Sequence, residues 1–490
     1  MASMLKRLSI TGIMLSMFLC GPVIGEDAEP VELRLKGIPT VFTSDPTLIA
    51  RRKIFEAFLK RYPQYKVQVI TPLVVDAPGS EGTDFFAVIG GVAPDVFWLL
   101  TRHVADYRDQ GFLLPLNEHL AQYQNEHREP YRGISTPTKI WKFCQDKGTV
   151  YAVPTAYYGM LLACHNPTFG KYNYGGKVPN DWDEIYEFAR AMTYDPTKEP
   201  DGKSDDPYVY GLFLNMGNRG GSPGWYLLQW IWSAGGEVVL PHFEKDGKLV
   251  EVPDPPVDFR SFGITVSDEK AYLATLAANK KRLEGLGLST SYGVSDAKWR
   301  LVTDSEKSLR ALYFYRKILQ QPWIRNKGHE FDITPEMIRA KKAVDPITKE
   351  EFDLNDKRVQ KRIYYGVVDS NLSSEIKQKF IAMQIITMQE GGMGSINADP
   401  TEWTYAPLPS YRNEQPAVFV MGNFAGINAA IEPEDKPGRR DRKAIEEAAW
   451  KYIEFMTGPQ AEAIKMKVYV ELGLAEMVRP NLLKEAGYND

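Results

Sequence analysis

The chain has 490 residues, of which 43% are hydrophobic and 25% charged, so it is long enough for two or three globular domains of about 100–200 residues each. Its 59 Lys and Arg and 63 Asp and Glu leave a net charge of −4, whereas a nucleic-acid-binding protein usually shows a basic surplus. The aromatic content is high, with 10 Trp, 26 Tyr and 22 Phe, and many of these residues stand in loop-like stretches where a core does not require them.

The first 25 residues have the pattern of a secretory signal peptide. A short basic segment precedes an apolar stretch over residues 8–19 that is too short to span a bilayer, and cleavage is predicted before Glu26. Lipid attachment at Cys20 is the alternative, although Leu19 stands where lipoprotein signals favour a small residue. The mature chain is therefore predicted to be periplasmic or extracytoplasmic.

The segment after residue 30 predicts alternating strands and helices. Residues 32–35 and 66–70 have the composition of strands. Ser44-Asp45-Pro46 between them marks the start of a helix with apolar side chains at positions 54, 55, 58, 59 and 62. A strand, a helix and a strand in this order predict a parallel pair joined by a right-handed crossover. Residues 95–98 form a third predicted strand.

The ends of these strands are the first place to look for a binding site. In open α/β sheets, ligands bind outside the carboxyl ends of the strands. We therefore predict candidate contacts at Thr43 and Ser44, which follow the first strand, and at Trp98 and Arg102, which lie at the end of the third.

Several short motifs occur in an order that is typical of a known family. They are Gly91–Val96 with Gly111–Leu116 (GxAPDV and GxLxPL), Pro179–Glu184 (PxTWdE), Ser233–Gly236 (xAGG), Gly422–Ala430 and Ala448–Ile453. By these motifs, the chain resembles bacterial extracellular solute-binding proteins, and specifically the carbohydrate-binding family of ABC transporters that includes maltose-binding protein. The resemblance covers roughly residues 31–240 and 372–480.

The resemblance implies an α/β, two-lobed periplasmic-binding-protein fold with discontinuous lobes around a hinge and a central cleft. After the signal peptide at residues 1–25, lobe 1 would comprise residues 26–163 plus 399–458, and lobe 2 residues 164–398 plus 459–490. The chain would cross between the lobes near residues 163–166, near residues 396–400 and after the helix that contains Trp450.

Two segments of lobe 2 have no counterpart in the family pattern. Residues 241–302 and about 325–370 are charged and contain prolines, so they are predicted to be insertions. They either lie on the surface, or they cap the cleft or dock a partner. Between them, residues 305–319 predict a helix with Leu309, Leu312, Tyr313, Arg316 and Leu319 at helical spacing.

Aromatic and planar polar side chains suit a sugar ligand. One face of a pyranose ring consists of C–H groups that pack on an aromatic ring, and the hydroxyls need hydrogen-bond donors and acceptors. Besides the contacts at the strand ends, the resemblance implies contacts from a loop of lobe 1, from an aromatic helix, from a glycine-rich turn and from a late loop: Tyr157, Tyr158, Trp225, Trp230, Glu390, Gly391, Gly392, Met421, Gly422, Asn423 and Phe424.

Motifs for catalysis and metal binding are weaker. Gly220–Gly224 matches the G-x-S-x-G nucleophile elbow of hydrolases, but Pro223 lacks the backbone N–H that the oxyanion hole needs. The six histidines are scattered without metal-ligand spacing, so no metal and no cofactor is predicted. Cys144 and Cys164 either form one disulfide or remain two buried thiols.

The predicted function follows from the resemblance. The chain is expected to be no enzyme but the solute-binding component of an ABC importer, a monomer that binds a sugar or oligosaccharide between its lobes and delivers it to membrane permease subunits by hinge closure. Nucleic acid is not an expected partner. The alternatives are a secreted carbohydrate-active enzyme, because sequence alone does not exclude two facing carboxylates, and a sugar-sensing binding subunit.

Overall fold

The computed structural model describes residues 29–43, 45–70, 82–129, 131, 138–198, 208–214, 222–245, 248–252, 258, 260, 269–289, 296–369, 381–389, 402–412, 414, 417, 420–473 and 483–484. The predicted signal peptide, Cys20, Ser44, Glu390, Gly391, Gly392 and the crossing at residues 396–400 lie outside these ranges.

The elements follow in chain order. Up to residue 192 they are β1 (Val31–Leu35), α1 (Pro46–Arg61), β2 (Tyr65–Val69), α2 (Gly82–Ile89), β3 (Val96–Leu100), α3 (Thr101–Asp109), α4 (Asn117–His127), α5 (Thr138–Trp141), β4 (Gln145–Asp146), β5 (Thr149–Val150), β6 (Val153–His165), α6 (Asn166–Lys171) and α7 (Trp182–Met192). Up to residue 332 they are β7 (Tyr210–Phe213), α8 (Ser222–Ser233), β8 (Val239–Lys245), β9 (Lys248–Glu251), α9 (Glu269–Gly285), β10 (Lys298–Leu301), α10 (Glu306–Gln320), β11 (Pro322–Asn326) and β12 (His329–Asp332). The last are α11 (Pro335–Ala340), β13 (Lys342–Val344), β14 (Glu351–Asp353), α12 (Lys357–Lys361), β15 (Ile363–Tyr365), β16 (Val368–Asp369), β17 (Ile381–Gln389), β18 (Trp403–Pro407), β19 (Val420–Ile427), α13 (Arg442–Thr457) and α14 (Pro459–Glu471).

The first strand, helix and strand form as the sequence predicts. β1 and β2 are parallel neighbours, with Val31 opposite Tyr65. The carboxylate of Asp45 accepts hydrogen bonds from the first backbone N–H groups of α1, and Pro46 occupies its first turn, where a proline loses no helical hydrogen bond. Ile54, Phe55 and Phe58 of this helix are buried. The predicted parallel pair is confirmed.

The long strand β6 organises the main sheet, whose strand order is β16-β7-β17-β6-β19-β3. β19 is antiparallel to the first half of β6, with Val420 opposite Gly159, and β18 continues along the second half, with Trp403 opposite His165. β17 pairs with the second half as well, from Tyr158 to Cys164. One strand is therefore hydrogen bonded to both halves of the sheet.

Two large hydrophobic cores lie at the two ends of β6. Val153 belongs to the first core, together with residues of α1, β3, α4, β19 and α13. Met160, Leu162 and Cys164 belong to the second, together with residues of α7, β7, α8, α10 and β17. The strand thus passes from one core to the other between Val153 and Met160, a few residues before the crossing predicted at 163–166. The exact bounds of the lobes remain a prediction.

Helix α14 packs beside α1 and the first core, and the assignment of residues 459–490 to lobe 2 stays a prediction. Met466, Val468 and Tyr469 of α14 form a small buried cluster with Ala50 of α1, and Ala461 joins the first core. The reason is local, because only Gly458 separates α13 from α14, so α14 starts beside the first core.

The two predicted insertions contain secondary structure of their own. The first includes the small antiparallel sheet β10-β8-β9 and α9. The second is built on the sheet β12-β11-β15 and the hairpin β13-β14, and it encloses a third core. That core consists of Ile324, Phe331, Ile333, Ala343, Phe352, Leu354 and Ile363.

The helix predicted at residues 305–319 is confirmed, and its buried face consists of residues other than those noted for their helical spacing. α10 buries Ser308, Ala311, Phe314 and Ile318. Leu309, Leu312 and Tyr313 are exposed, with Tyr313 at 68%. Apolar side chains occur around the whole helix, so periodicity alone does not identify the face that packs against α8.

Neither cysteine is in a disulfide. Cys144 and Cys164 are free and buried, the first in the first core and the second in the second core. Within the described ranges, no helix is both long and apolar enough to cross a membrane.

Candidate functional site

A cavity of about 400 Å³ opens beside the first core, where β6 leaves it. Six elements contribute to its wall: the first half of α1, the end of β3, the first half of β6, β19, the end of α13 and α14. The residues that line it are Asp45, Thr47, Leu48, Arg51, Ile54, Trp98, Leu99, Leu100, Thr155, Ala156, Asn423, Met456, Ala461, Glu462, Lys465 and Tyr469. The site therefore lies at the carboxyl end of β3, as expected for an α/β sheet.

The sheet register brings Trp98 and Asn423 to the same cavity. β3 and β19 are antiparallel, with Asn423 opposite Leu100 and Ala425 opposite Trp98. The hydroxyl of Thr101 accepts a hydrogen bond from the Gly422 N–H at 2.8 Å and donates one to the Gly422 carbonyl at 3.2 Å. This reciprocal pair fixes the start of α3 against β19 and so fixes the position of the neighbouring Asn423.

The indole of Trp98 forms a cation–π contact with Arg51. The guanidinium carbon of Arg51 lies 5.6 Å from the centre of the indole ring, a cation–π distance. Nη2 of Arg51 also donates to the carbonyl of Gly37 at 3.3 Å. The ring of Tyr452 contacts the indole edge-on at 6.2 Å. Trp98 is therefore held by the first core and in turn holds Arg51 at the cavity wall.

Two carboxylates line the cavity, and each already has partners. Oδ1 of Asp45 accepts hydrogen bonds from the N–H groups of Thr47 at 2.8 Å and Leu48 at 3.3 Å. Oε1 of Glu462 accepts a hydrogen bond from Nζ of Lys465 at 3.0 Å, one turn further along α14. The cavity thus combines an aromatic ring, an amide, the hydroxyls of Thr47 and Thr155, and four charged groups.

The structure brings together only some of the predicted contacts. Trp98 and Asn423 line the cavity. Thr43 is half-buried in the loop before α1, where its hydroxyl accepts a hydrogen bond from the Asp45 N–H at 3.2 Å. The backbones of Arg102, Tyr158 and Trp225 lie in α3, β6 and α8, but their side chains are outside the described part.

Trp230 and Phe424 require correction. The Trp230 side chain is fully buried in the second core, where its ring contacts Trp182 at 5.4 Å and Phe314 at 5.1 Å. Phe424 is fully buried in the first core. Its neighbour Asn423 points the other way, because successive side chains of a strand point to opposite faces. Neither aromatic ring offers a surface to a ligand.

Three further predicted contacts sit in strands rather than loops. Met421 and Gly422 are buried within β19. Tyr157, predicted on a loop, lies in the middle of β6 opposite Gly422 and is half-buried. Pairing on both edges of β6 explains the difference, since a strand at the centre of a sheet continues where the sequence alone indicated a loop.

Sequence reasoning missed Arg51, Thr155, Glu462 and Lys465. Arg51 had a usable signal, because Asp45, Leu48 and Arg51 are spaced three residues apart and therefore share one side of α1. Glu462 and Lys465 had none. They lie more than 400 residues after α1 and reach the site only because α14 packs on that helix.

The described residues show no arrangement for metal or thiol chemistry. No group of three His, Cys, Asp or Glu side chains among them could hold a metal ion. Burial raises the pKa of the Cys164 thiol to about 12 and raises that of Cys144 well above its ordinary value, so both stay protonated. β7 ends at Phe213 and α8 begins at Ser222, so no described strand leads directly into the G-x-S-x-G motif.

Comparisons of the sequence and of the fold with known proteins found matches. The protein-family model described as bacterial extracellular solute-binding protein matches residues 45–305. No curated protein matches the chain. Similar solved structures include three that each cover 94% of it with TM-scores of 0.50 to 0.52.

The first of these three is an ABC transporter solute-binding protein from Thermotoga lettingae bound to alpha-D-tagatose, 15% identical, with 84% of its length covered and a TM-score of 0.51. The second is maltose-bound MalE3 of T. maritima, 17% identical, with 87% covered and a TM-score of 0.50. The third is an ABC substrate-binding protein from Listeria monocytogenes in complex with cycloalternan, 14% identical, with 86% covered and a TM-score of 0.52.

At these identities, the likeness shows the fold, which has two α/β lobes around a central cleft. The match to the family model spans more than half of the chain. The chain therefore belongs to the family of bacterial extracellular solute-binding proteins.

Proposed function

We propose that this protein is the extracytoplasmic solute-binding component of an ABC importer that binds a sugar or oligosaccharide between its lobes and delivers it to a membrane permease by hinge closure. The observation that carries the proposal is the cavity beside β6, where an indole ring, an amide and hydroxyl groups converge in a member of this family.

The chemistry of the wall supports a polyhydroxylated ligand. The amide of Asn423 can donate to one hydroxyl and accept from the next, and the hydroxyls of Thr47 and Thr155 can do either. Leu48, Leu99 and the indole of Trp98 offer apolar surface for C–H groups. The three similar structures named above hold tagatose, maltose and cycloalternan, all of them carbohydrates.

The interactions of the two carboxylates in the cavity support ligand binding without turnover. Glycoside hydrolysis needs one carboxyl group that gives up a proton and a second that acts as base or nucleophile. Asp45 is occupied as the cap of α1, and Glu462 is paired with Lys465. Neither is placed as a proton donor, so we propose a binding protein and not an enzyme.

The lobe that faces this cavity would supply the remaining contacts. We propose that the lobes join along β6 between Val153 and Met160, and that Tyr157 and Tyr158, which lie in this stretch, contact the ligand when the cleft closes. Trp225 and the segment Glu390–Gly392 remain proposed contacts from lobe 2.

The binding experiment is a thermal-shift screen of neutral and acidic mono- and oligosaccharides on the mature chain, followed by calorimetry of each hit. A ligand that binds only the folded state at a hundred times its Kd adds about 2.7 kcal/mol, so the melting temperature should rise by several degrees. A polyamine and a metal ion serve as controls. A shift with either control, and with no saccharide, would show that the carbohydrate proposal is wrong.

Two further measurements test for catalysis and for hinge closure. Chromatography of the saccharide after prolonged incubation should recover it intact, whereas cleavage would identify an enzyme. Small-angle scattering with saturating ligand should give a smaller radius of gyration than without it, as expected for lobes that close around a ligand. An unchanged radius would contradict delivery by hinge closure.

A further inference from the structure

The charged side chains that line the cavity beside β6 differ in how they are paired, although two positive and two negative side chains balance in number. Four charged side chains line it. Lys465 and Glu462 neutralise each other at 3.0 Å. Asp45 accepts hydrogen bonds from two backbone N–H groups at the amino end of α1, where a negative charge is stabilised. Among the described residues, no carboxylate forms an ion pair with Arg51.

Arg51 is also held in place before any ligand arrives. Its guanidinium lies over the indole of Trp98, and one of its five N–H groups donates to Gly37. Gly37 has a φ of +71°, a conformation that favours glycine, and this turn directs its carbonyl to the arginine. A planar guanidinium that is stacked and tethered loses little freedom when it binds a second planar group.

We propose that the physiological solute is an acidic saccharide whose carboxylate is bound by Arg51, an inference that rests on the proposed sugar-binding function and names the class of sugar. Neutral hydroxyls could accept hydrogen bonds from the guanidinium but would leave its charge uncompensated. A carboxylate accepts hydrogen bonds from the guanidinium and also compensates its charge, and its two oxygens match the fork of N–H groups on arginine.

The same surroundings favour a carboxylate over a phosphate. A phosphate group carries up to two charges and binds best where several donors converge. Here the N–H groups of Thr47 and Leu48 are already used by Asp45, and Lys465 is used by Glu462. The remaining site has one cation, and the nearby Asp45 carboxylate disfavours a dianion.

The test uses calorimetry with mono-, di- and trisaccharides of galacturonate and glucuronate, and with the same compounds after methyl esterification of the carboxylate. A uronate should bind the wild-type chain, and its ester should bind at least tenfold more weakly. Arg51→Gln should weaken uronate binding by at least tenfold and should leave binding of the ester within about twofold of wild type. Arg51→Lys should recover only part of the loss, because lysine keeps the charge but not the fork.

Arg52→Gln is the matched control. It removes the same charge from the next residue of the same helix, but Arg52 pairs with Glu56 at 2.7 Å and does not line the cavity. Its uronate affinity should stay within about twofold of wild type. The comparison of uronate with ester on the wild-type chain does not depend on the folding of any variant.

Each other outcome overturns the inference. Equal affinity for uronate and ester, an equal loss in Arg51→Gln and Arg52→Gln, or tight binding of a sugar phosphate instead would show that Arg51 does not select a carboxylate. If neutral saccharides bind and uronates do not, the acidic class is wrong and the sugar-binding proposal stands. If no saccharide of either kind binds, the sugar-binding proposal itself fails.

Discussion

Arg439 donates from Nη1 to Oδ2 of Asp95 at 2.6 Å, and only 3% and 1% of these two side chains are exposed. The same Asp95 oxygen accepts the backbone N–H of Arg34 at 2.6 Å. Arg34 in turn pairs with Glu434 at 2.6 Å. The buried pair of Arg439 and Asp95, together with Arg34, connects β1, the start of β3 and the chain segment that follows β19. It therefore joins parts of the first core that are more than 300 residues apart in sequence.

Breaking this pair should destabilise the protein strongly. Asp95→Asn removes the carboxylate that lies 2.6 Å from the buried Arg439 guanidinium and leaves it the more distant Glu434, at 3.9 Å. Removal of one partner from a buried ion pair costs about 3–5 kcal/mol. Urea unfolding measures the loss. The exposed pair of Arg440 with Asp435 is the control, because Arg440→Gln should cost at most about 1 kcal/mol. A similar small cost for Asp95→Asn would contradict a structural role for the pair.

Substitution of Asn423 should weaken ligand binding, whereas substitution of Trp230 should lower the stability of the fold. Asn423→Ala removes one or two hydrogen bonds to the ligand, so calorimetry with a saccharide hit should show a loss of about 0.5–1.5 kcal/mol for each bond, with little change in the unliganded melting temperature. Trp230→Ala empties part of the second core and should cost about 3–5 kcal/mol of stability. The assignment of Asn423 to the site is wrong if its variant melts early and binds normally.

His119 should make stability depend on pH. Its ring stacks on Trp450 at 5.3 Å, and burial lowers its pKa below the ordinary 6.5, although Glu447, Glu446 and Glu118 act in the opposite direction. The unfolded chain therefore binds this proton at a higher pH than the folded chain does. The free energy of unfolding should fall as the pH drops through about 6.5, until the folded histidine is also protonated.

His119→Phe keeps a ring against Trp450 and removes the titrating group. Urea unfolding at pH 7 and pH 5 should therefore show a smaller loss of stability in this variant than in the wild-type chain. His165 should retain its own contribution, since burial lowers its pKa as well. The same loss in variant and wild type would show that His119 is not coupled to folding.

The segment from β11 to β15 should lose stability without loss of ligand affinity. Phe352 is buried in the third core beside Phe331, and Phe352→Ala should cost the segment about 3–5 kcal/mol. Hydrogen exchange should become faster within Pro322–Tyr365, and the saccharide affinity should stay unchanged. Ile347→Ala is the control, because this side chain is 69% exposed. Weaker binding in the Phe352 variant would instead favour an insertion that caps the cleft.

Local sequence patterns predicted the first strand, helix and strand. They did not identify the side chains whose burial depends on contacts with distant segments. The β1-α1-β2 unit follows from a capping aspartate, a proline and one apolar stripe, all of them local signals. On α10 the apolar residues surround the helix, so only contact with α8 selects Phe314 over Leu312. The third core contains seven buried side chains from a segment for which the family pattern has no counterpart.

In the site, too, some residues could be predicted from local sequence patterns, and others depend on contacts between distant segments. Trp98 could be predicted because the carboxyl end of a strand is a general place for ligands. The alternation of side chains along a strand is also a local signal, and it separates Asn423 from Phe424, since successive side chains point to opposite faces of the sheet. Glu462 and Lys465 depend on α14 folding back on α1, which no local pattern indicates.

The continuous strand β6 limits how the two halves of the molecule can move. Its hydrogen bonds with β19 secure it to one half, and those with β17 secure it to the other. Sliding would break whole ladders at once, because β6 is paired with β19 from Ala156 to Gly159 and with β17 from Tyr158 to Cys164, whereas a local twist of the strand leaves both ladders in place. The register shift opposite β6, between Asn423 and Phe424, supplies a point of local irregularity where such a twist costs least. Under the proposed hinge closure, a ligand held at Asn423 would sit beside the pivot, where a small local rotation becomes a large displacement at the outer ends of the molecule.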